Sequence, residues 1–484
     1  MNAMNKSERF TVEPKNVMKR QEMRKFFYPS SIVVFGVADK RTNLAQNIIV
    51  NCRELGFKGN IYPVGKSPGV VYGKEIITDP ESLPSDIDLA VILVPAEVVA
   101  DTLDICGRKG IRHAVISTAG FREFNEVNNT AERDMLAVTK RYGIRFLGPN
   151  CIGVICTGSG LCTPFNPLEP RRFKKGPVSL IIQSGGVTTQ CAYTFSDEHV
   201  GFSKIISAGN KLMIDEIDLL EYLMEDEETE QIHLYLESIE HGREFLRLAE
   251  SSRKPIVIFK SNVTQTAAEV AKSHTAALSN DDAIVDGALK QAGLIRAEDI
   301  RDMTVCAKAL QLKPLRGNRL AALSLSGGFS VIMGDACEKY GFTCPALPRE
   351  LLNKIESYRR AGVIRMSNPM DLGDVHDIEA LIFTLRSCLA LDYIDGLAMS
   401  LMYEPQMITL FGRGMGNPEQ IASFFKYLSE ESKKPVAVSV VCERQYLDEF
   451  KQAGIFPVFN DPIECIRALR ALKDYWHGRH AEDS

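Results

Sequence analysis

Two tripeptides of one kind stand out in the 484-residue sequence. Ser184-Gly185-Gly186 follows the apolar run VSLIIQ, and Ser326-Gly327-Gly328 follows RLAALSL. Both read as strand, glycine turn, helix. Glycines let the backbone approach a ligand closely, the N–H groups of a first helical turn have no intrahelical partner, and the helix dipole adds roughly half a positive charge there. Such a place binds phosphate. A single turn of this type is equally explained by tight strand-to-helix packing; its recurrence at the same place in two successive units points to an anion.

Two more residues have the chemistry of phosphoryl handling. His274 lies in Ala-Lys-Ser-His-Thr-Ala-Ala-Leu, a small polar segment between PIVIFKS and DDAIVDGALKQAG. A histidine flanked by Ser273 and Thr275 can be an exposed nucleophile or proton carrier, or it can cap a helix or lie idle on the surface. Glu237 ends the strand-like IHLYLE, and a carboxylate closing a buried pattern needs a partner. Either it pairs with a Lys or Arg, or it hydrogen-bonds an imidazole nitrogen and fixes which nitrogen is free to react.

The loop Gly36-Val37-Ala38-Asp39-Lys40-Arg41-Thr42-Asn43 follows the first apolar run as a nucleotide-binding turn would. No GxGxxG accompanies it, and the glycine run GRGMGN (412–417) follows no clear strand. Gly65-Lys66-Ser67 is not a Walker A loop, because Asn60 stands where the leading glycine belongs. From periodicity alone this unit binds a dinucleotide, a CoA-like nucleotide or nothing.

These residues need elements to position them. Nine short apolar runs recur along the chain: SIVVFGV (31–37), LAVILVP (89–95), HAVIST (113–118), VSLIIQS (178–184), IHLYLES (232–238), PIVIFKS (255–261), RLAALSLS (319–326), YIDGLAMSLM (393–402) and PVAVSVV (435–441). Runs without alternation are buried on both faces, so the expected architecture is α/β, with parallel, doubly wound sheets covered by helices. In such sheets ligands sit at the carboxyl ends of strands, where all the residues above are found. CTPFNPLEPRRFKKGP (162–177) and LKPLRGN (312–318) read as boundaries, giving a charged leader (1–24) and three units at 25–165, 175–300 and 318–475.

Composition sets outer limits. With 45% hydrophobic and 25% charged residues the chain is an ordinary globular one. Lys+Arg 57 against Asp+Glu 62 gives a net charge of -5, so no global basic field exists to hold a nucleic acid. No apolar stretch reaches the ~18 residues a membrane span needs, and the charged N-terminus is no signal peptide; a cytoplasmic protein is expected. Twelve cysteines without any CxxC, and Cys151, Cys156 and Cys162 without a neighbouring His, read as reduced small hydrophobes, with no metal site.

Across about 25–475 the sequence resembles the alpha subunit of the ADP-forming acyl-CoA synthetases, relatives of succinyl-CoA synthetase. In the first unit the resemblance rests on GFKGNIYPVGK (56–66), DLAVILVPAEVV (88–99), CGRKGIRHAVISTAGFRE (106–123) and YGIRFLGPNCIGV (142–154). In the second it rests on QSGGV (183–187), GFSKIISAGNKLMIDEIDLLEYL (201–223), YLESIEHGREF (235–245) and KSHTAALSND (272–281). The third contributes LSGGFSVIMGDACEKYG (325–341), NPMDL (368–372) and GIFPVFNDPIECIRALRAL (454–472). The resemblance implies a Rossmann-like CoA-binding domain followed by two flavodoxin-like succinyl-CoA ligase-type domains. It implies that His274 is phosphorylated during turnover, that Glu237 orients it, and that both SGG turns hold its phosphoryl group. CoA would be held by Gly36, Val37, Ala38, Lys40, Asn43, Lys66, Val94 and Pro95. The implied reaction interconverts acyl-CoA, phosphate and ADP with a small carboxylic acid, CoA and ATP. The nucleotide-binding ATP-grasp module is absent from the three units, so a separate ATP-grasp beta-type subunit is expected to bind ATP or ADP with Mg, in a hetero-oligomer.

One departure bears on the first unit. The family's CoA loop usually opens Gly-Ala-Ser, whereas Val37, Ala38 and Asp39 stand here and Thr42-Asn43-Leu44-Ala45 replaces a later glycine region. A carboxylate at Asp39 near a pyrophosphate repels it by ~1 kcal/mol or more unless Lys40 or Arg41 compensates. A non-catalytic CoA or acyl-CoA sensor on the same fold is therefore the alternative to the ligase. A nicotinamide-dependent dehydrogenase lacks its glycine fingerprint.

Overall fold

The computed structural model describes residues 20–479 apart from 122–129, 275–280, 361, 363, 376 and 406–415. Its first sheet contains β1 (Ser31–Phe35), β2 (Asn60–Val64), β5 (Leu89–Ile92), β6 (His113–Ile116) and β7 (Arg145–Leu147), with β3 (Val70–Val71) and β4 (Lys74–Glu75) forming a small hairpin. The second contains β8 (Val154–Cys156), β9 (Leu161–Cys162), β10 (Val178–Ile182), β11 (Phe202–Ser207), β12 (Gln231–Leu236), β13 (Ile256–Lys260) and β14 (Ile295–Arg296). The third contains β15 (Leu320–Ser324), β16 (Met370–Asp371), β17 (Gly396–Met402), β18 (Val436–Val441) and β19 (Val458–Phe459).

All nine apolar runs form strands, and β5, β10, β12 and β15 are buried along their whole length, as two-sided coverage by helices requires. The sheet orders are β2-β1-β5-β6-β7, β11-β10-β12-β13-β14 and β16-β15-β17-β18-β19, with β8 and β9 added beyond β11 in the second. Counted in chain order within each sheet, all three therefore wind as 2-1-3-4-5. The chain changes direction between the first and third strands, which opens a crevice at their carboxyl ends.

The joints between sheets are built from buried contacts. The segment 154–162, expected in the first unit, crosses over: β8 pairs antiparallel with β11 of the second sheet. Just past the leader the chain forms a wedge. After a helix at Arg20–Arg24, the rings of Phe26 and Phe27 are fully buried, Phe26 edge-on to His113 in the first unit and Phe27 stacked on Tyr222 in the second. At the carboxyl faces, Asn210 N–H donates to Pro149 O (2.9 Å) and Leu212 N–H to Gly148 O (3.2 Å). Gly209 makes that approach possible: it has φ +60°, and a Cβ there would sit 2.3 Å from Pro149 O. Between the second and third units, the helix Ile300–Ala309 packs on the helix Pro462–Arg479, and Arg467 pairs with Asp302 at 2.6 Å. Even the boundary segment 312–318 contributes a fully buried Leu315.

All twelve cysteines are free, and ten are buried. Burial pushes the Cys52, Cys106 and Cys151 thiols up to about 12, which makes them inert hydrophobes. Among the described residues there is no cluster of His, Cys, Asp and Glu able to hold a metal ion, and no helix is long and apolar enough to cross a membrane.

Candidate active site

Each crevice is lined by residues the sequence singled out. In the first sheet it lies between β1 and β5, that is, between the loop beginning at Gly36 and the Val94-Pro95 turn. In the second it lies between β10 and β12, bringing Ser184-Gly185-Gly186 and Glu237 to the same opening. In the third it lies between β15 and β17 and begins with Ser326-Gly327-Gly328.

The first loop is held from three sides. Gly36 has φ +93°, and a Cβ there would lie 2.0 Å from Leu93 O, so the turn can close on the end of β5 only with glycine. Gly36 and Val37 N–H both donate to Val64 O (3.1 and 3.0 Å). Asn43 caps the helix Leu44–Leu55: its Oδ1 accepts from Gln46 N–H (3.0 Å) and Ala38 N–H (3.2 Å), and its Nδ2 donates to Gly36 O (3.0 Å). The Asp39 carboxylate, suspected of repelling a pyrophosphate, accepts the Val70 N–H (3.1 Å) and lies against Gly69, clasping the β3–β4 hairpin. Lys40 and Lys66 are exposed beside this loop. Thr118 Oγ1 donates to Val94 O (2.7 Å) and fixes the opposite lip at Val94-Pro95.

In the second crevice Ser184 precedes the helix Gly185–Asp197 without using its hydroxyl as a cap. The two glycines differ. A Cβ on Gly185 would meet Ile152 Cγ2 at 2.8 Å, whereas a Cβ on Gly186 would meet nothing within 4 Å. Ile152 follows the Gly148–Asn150 loop of the first unit, whose Asn150 N–H donates to Thr118 O (2.9 Å), and Thr118 in turn holds the Val94 lip, so the second crevice abuts the first unit near its own crevice. Gly186 needs glycine neither for packing nor for a left-handed backbone.

Glu237 stands just past β12, half-buried. Its main chain and that of Ser238 are bound by side chains on every side. Gln183 Oε1 accepts from Glu237 N–H (2.8 Å) and Ser238 N–H (3.1 Å), Lys260 Nζ donates to Glu237 O (2.9 Å), and Lys211 Nζ donates to Ser238 O (2.8 Å). Tyr235, two residues earlier on the same face, has its phenol pKa raised, first by burial and further by the nearby Glu237 charge, with Ser261 opposing. Burial is the first cause of the low Lys260 pKa, brought down to about 8 with the help of the Lys211 and Arg296 charges and against Asp282 and Glu237. The sequence reading passed over Gln183, Lys211 and Lys260. A glutamine and a lysine ending two apolar runs were the available signal.

His274 is the last residue of the helix Gln265–His274, so the backbone there is helical where a polar loop was expected. Its side chain and residues 275–280 lie outside the described residues, as does most of GRGMGN. In the third crevice Ser326 again leaves its hydroxyl uncommitted as a cap, and Gly328 again faces open space. Gly327 differs from its counterpart: a Cβ there would lie 2.7 Å from the Asp371 Oδ2, so a carboxylate stands beside this helix start.

Comparison with known proteins agrees with this layout. Residues 30–157 match the family model described as a CoA binding domain, and residues 175–310 the one described as a succinyl-CoA ligase like flavodoxin domain. Over 470 residues the chain is 31% identical to the acetate–CoA ligase (ADP-forming) I subunit alpha of Pyrococcus furiosus, covering 94% of this chain and 98% of that one. It is 32% identical over 460 residues to acetate–CoA ligase (ADP-forming) I of Archaeoglobus fulgidus, and there it spans 64% of the relative's length. The solved structure of the dinucleotide forming acetyl-coenzyme A synthetase 1 of Ca. Korarchaeum cryptofilum, in complex with phosphate and ADP, matches with a TM-score of 0.81 at 28% identity. The match covers 94% of this chain and 97% of that one.

Proposed function

Since this chain belongs to the ADP-forming acetate–CoA ligases, as an alpha-subunit type of acid–CoA ligase, we propose that it interconverts acyl-CoA, phosphate and ADP with acid, CoA and ATP, through a phosphohistidine at His274. Phosphate attacks the thioester carbonyl, the C–S bond breaks, and CoA leaves as the thiolate. A ring nitrogen of His274 then attacks phosphorus, the P–O bond of the acyl phosphate breaks, and the carboxylate is released. ADP finally takes the phosphoryl group from the histidine, and the ring is regenerated.

CoA occupies the first crevice, held by the loop at Gly36–Asn43, by Lys66 and by the Val94-Pro95 lip. The Ser184-Gly185-Gly186 turn, next to it through Ile152, holds phosphate and the phosphoryl group by main-chain N–H groups and the helix dipole. Glu237 accepts a hydrogen bond from one imidazole nitrogen and leaves the other to carry the phosphoryl group. Ser326-Gly327-Gly328 supplies the second helix start. ADP and Mg are bound by a separate ATP-grasp beta-type subunit.

The observation that carries this reading is the open space in front of Gly186 and Gly328: two glycines at the same place in two sheets, with nothing in the fold demanding either. The altered CoA loop favours a non-catalytic sensor; against that, the Asp39 carboxylate accepts the Val70 N–H and is fixed on the β3–β4 hairpin, although it keeps its charge. To test the ligase, the chain and its ATP-grasp partner are incubated with γ-labelled ATP. Wild type is expected to take up acid-labile label, and His274→Ala none. Equal labelling of both, or CoA binding by calorimetry with no labelling of wild type, would overturn the phosphohistidine route.

A further inference from the structure

We propose that Gln183, Lys211 and Lys260 are positioning residues for Glu237, a three-strand clamp that sets its carboxylate by fixing the Glu237-Ser238 main chain. This inference rests on the role given to Glu237 above.

The sheet ladder stops one residue short of this dipeptide. Its last rungs are Gln183 N–H to Tyr235 O (3.0 Å) and Ser261 N–H to Leu236 O (3.1 Å). Beyond them, main-chain groups at a crevice ordinarily turn to water. Here all four polar groups of Glu237-Ser238 are instead taken by three side chains at 2.8 to 3.1 Å, one from the end of β10, one from the turn after β11 and one from the end of β13. Side chains thus continue the ladder past its end. The dipeptide has no main-chain group left with which to shift, so the origin of the Glu237 side chain is fixed.

The means chosen are costly for the fold. Lys211 and Lys260 are both buried, and a buried ammonium is unfavourable unless a counter-charge or a function keeps it. Lys211 has the counter-charge, Glu216 at 2.9 Å. The hydrogen bonds of Lys260 go to carbonyls, those of Glu237 and Ser261. Both lysines spend an ammonium donor on a carbonyl of this dipeptide, and such charge-assisted hydrogen bonds hold the main chain more firmly than neutral donors would. The clamp also reaches the first unit, because Lys211 follows Asn210, whose N–H donates to Pro149 O. The position of the carboxylate is therefore tied to the joint between the first and second units.

A residue that acts through Glu237 has nothing left to contribute once Glu237 is disabled, whereas a merely structural residue weakens every background alike. The experiment measures kcat and KM for acyl-CoA in the complex with the partner subunit, for Gln183→Met, Lys260→Met, Glu237→Gln and the two double variants. The single clamp variants are expected to lose about tenfold or more in kcat, with KM within about twofold of wild type. In the Glu237→Gln background they are expected to cost nothing further. Thermal melting accompanies each variant; where Gln183→Met melts early, Lys260→Met tests the same peptide from the opposite strand. Wild-type kcat in both clamp variants beside a slow Glu237→Gln would overturn the clamp, as would losses that multiply in the doubles. Wild-type kcat in Glu237→Gln itself would instead overturn the role of Glu237, and the clamp with it.

Discussion

Gly185 and Gly186 are neighbours of one type at the start of one helix, yet a methyl group meets different surroundings at each. On Gly185 it presses on Ile152 Cγ2 at 2.8 Å, closer than carbon atoms pack, so the joint to the first unit must give. On Gly186 it enters open space, and alanine is the better helix former by up to about 1 kcal/mol. Gly186→Ala is therefore expected to melt at or above the wild-type temperature while losing about tenfold or more in phosphoryl transfer, because the methyl group occupies the place of a phosphoryl oxygen. Gly185→Ala is expected to lose stability and activity together. Melting curves beside turnover measurements separate the two, and a Gly186→Ala variant that keeps full activity would remove the phosphate from this turn. The third crevice is not an equivalent copy. Asp371 beside Gly327 adds a negative charge where the second crevice has the Ile152 methyl group, so its helix start attracts an anion less strongly by itself.

At the scale of elements, Asn43 both caps a helix and ties the loop proposed to hold CoA. Its side chain starts the helix Leu44–Leu55 and at the same time ties Ala38 and Gly36 together. Asn43→Ala is expected to cost about 1 kcal/mol as a lost cap and, by freeing the loop, to weaken CoA binding about tenfold. Calorimetric titration and a melting curve read the two effects, and a variant that loses stability but binds CoA as tightly as wild type would show that the loop needs no such tie. Element placement was legible in the sequence wherever one physical signal dominated. The nine apolar runs became strands because both of their faces are covered. β11 escaped notice because Lys204 interrupts FSKIIS; its side chain is fully buried, with Nζ 2.7 Å from the Asp226 carboxylate, so a paired charge imitates a surface residue. β2 escaped because Pro63 interrupts NIYPV, which is tolerated since β2 lies on a sheet edge. The SGG turns, Glu237 and the Gly36 loop fell where the runs ended, and the winding of the sheets brought them to the crevices. The clamp on Glu237 was not legible, because Gln183, Lys211 and Lys260 lie far apart in the chain and only the strand order makes them neighbours. His274 was placed in a loop because its small polar neighbours suppress the apolar period that marks a helix.

The largest consequence belongs to the whole molecule, since the two SGG helices sit on different sheets and can serve one phosphoryl group only if those sheets keep a fixed relation. Glu198 is central to that relation. Placed after the helix Gly185–Asp197, it reaches Lys308 (2.7 Å) on the helix packed against the third unit, and Lys451 (3.0 Å) and Asn460 (3.3 Å) within that unit. Burial pushes the Glu198 pKa up, but the two ammonium groups outweigh it and hold the carboxylate down at about 2. The sign follows. An unfolded Glu198 titrates near its ordinary value of 4.5, so the stability it contributes is complete above that pH and is lost as pH falls from about 4.5 towards 2, by about 3 kcal/mol at most. In Glu198→Gln two nearly buried lysines lose their counter-charge, an arrangement that costs about 3 kcal/mol or more at neutral pH. The sole tryptophan, Trp476, lies on the helix Pro462–Arg479, which packs on the helix carrying Lys308, and reports on unfolding by fluorescence. Urea melts followed at Trp476 are expected to place Glu198→Gln well below wild type at pH 7, and to show wild type losing more stability than the variant between pH 4.5 and pH 2.5. Equal losses over that window would mean that another carboxylate governs the joint. If the joint does hold the two helix starts in register, Glu198→Gln is also expected to slow phosphoryl transfer at pH 7 under conditions where the chain remains folded, and turnover at the wild-type rate would show that the two sheets need no such lock.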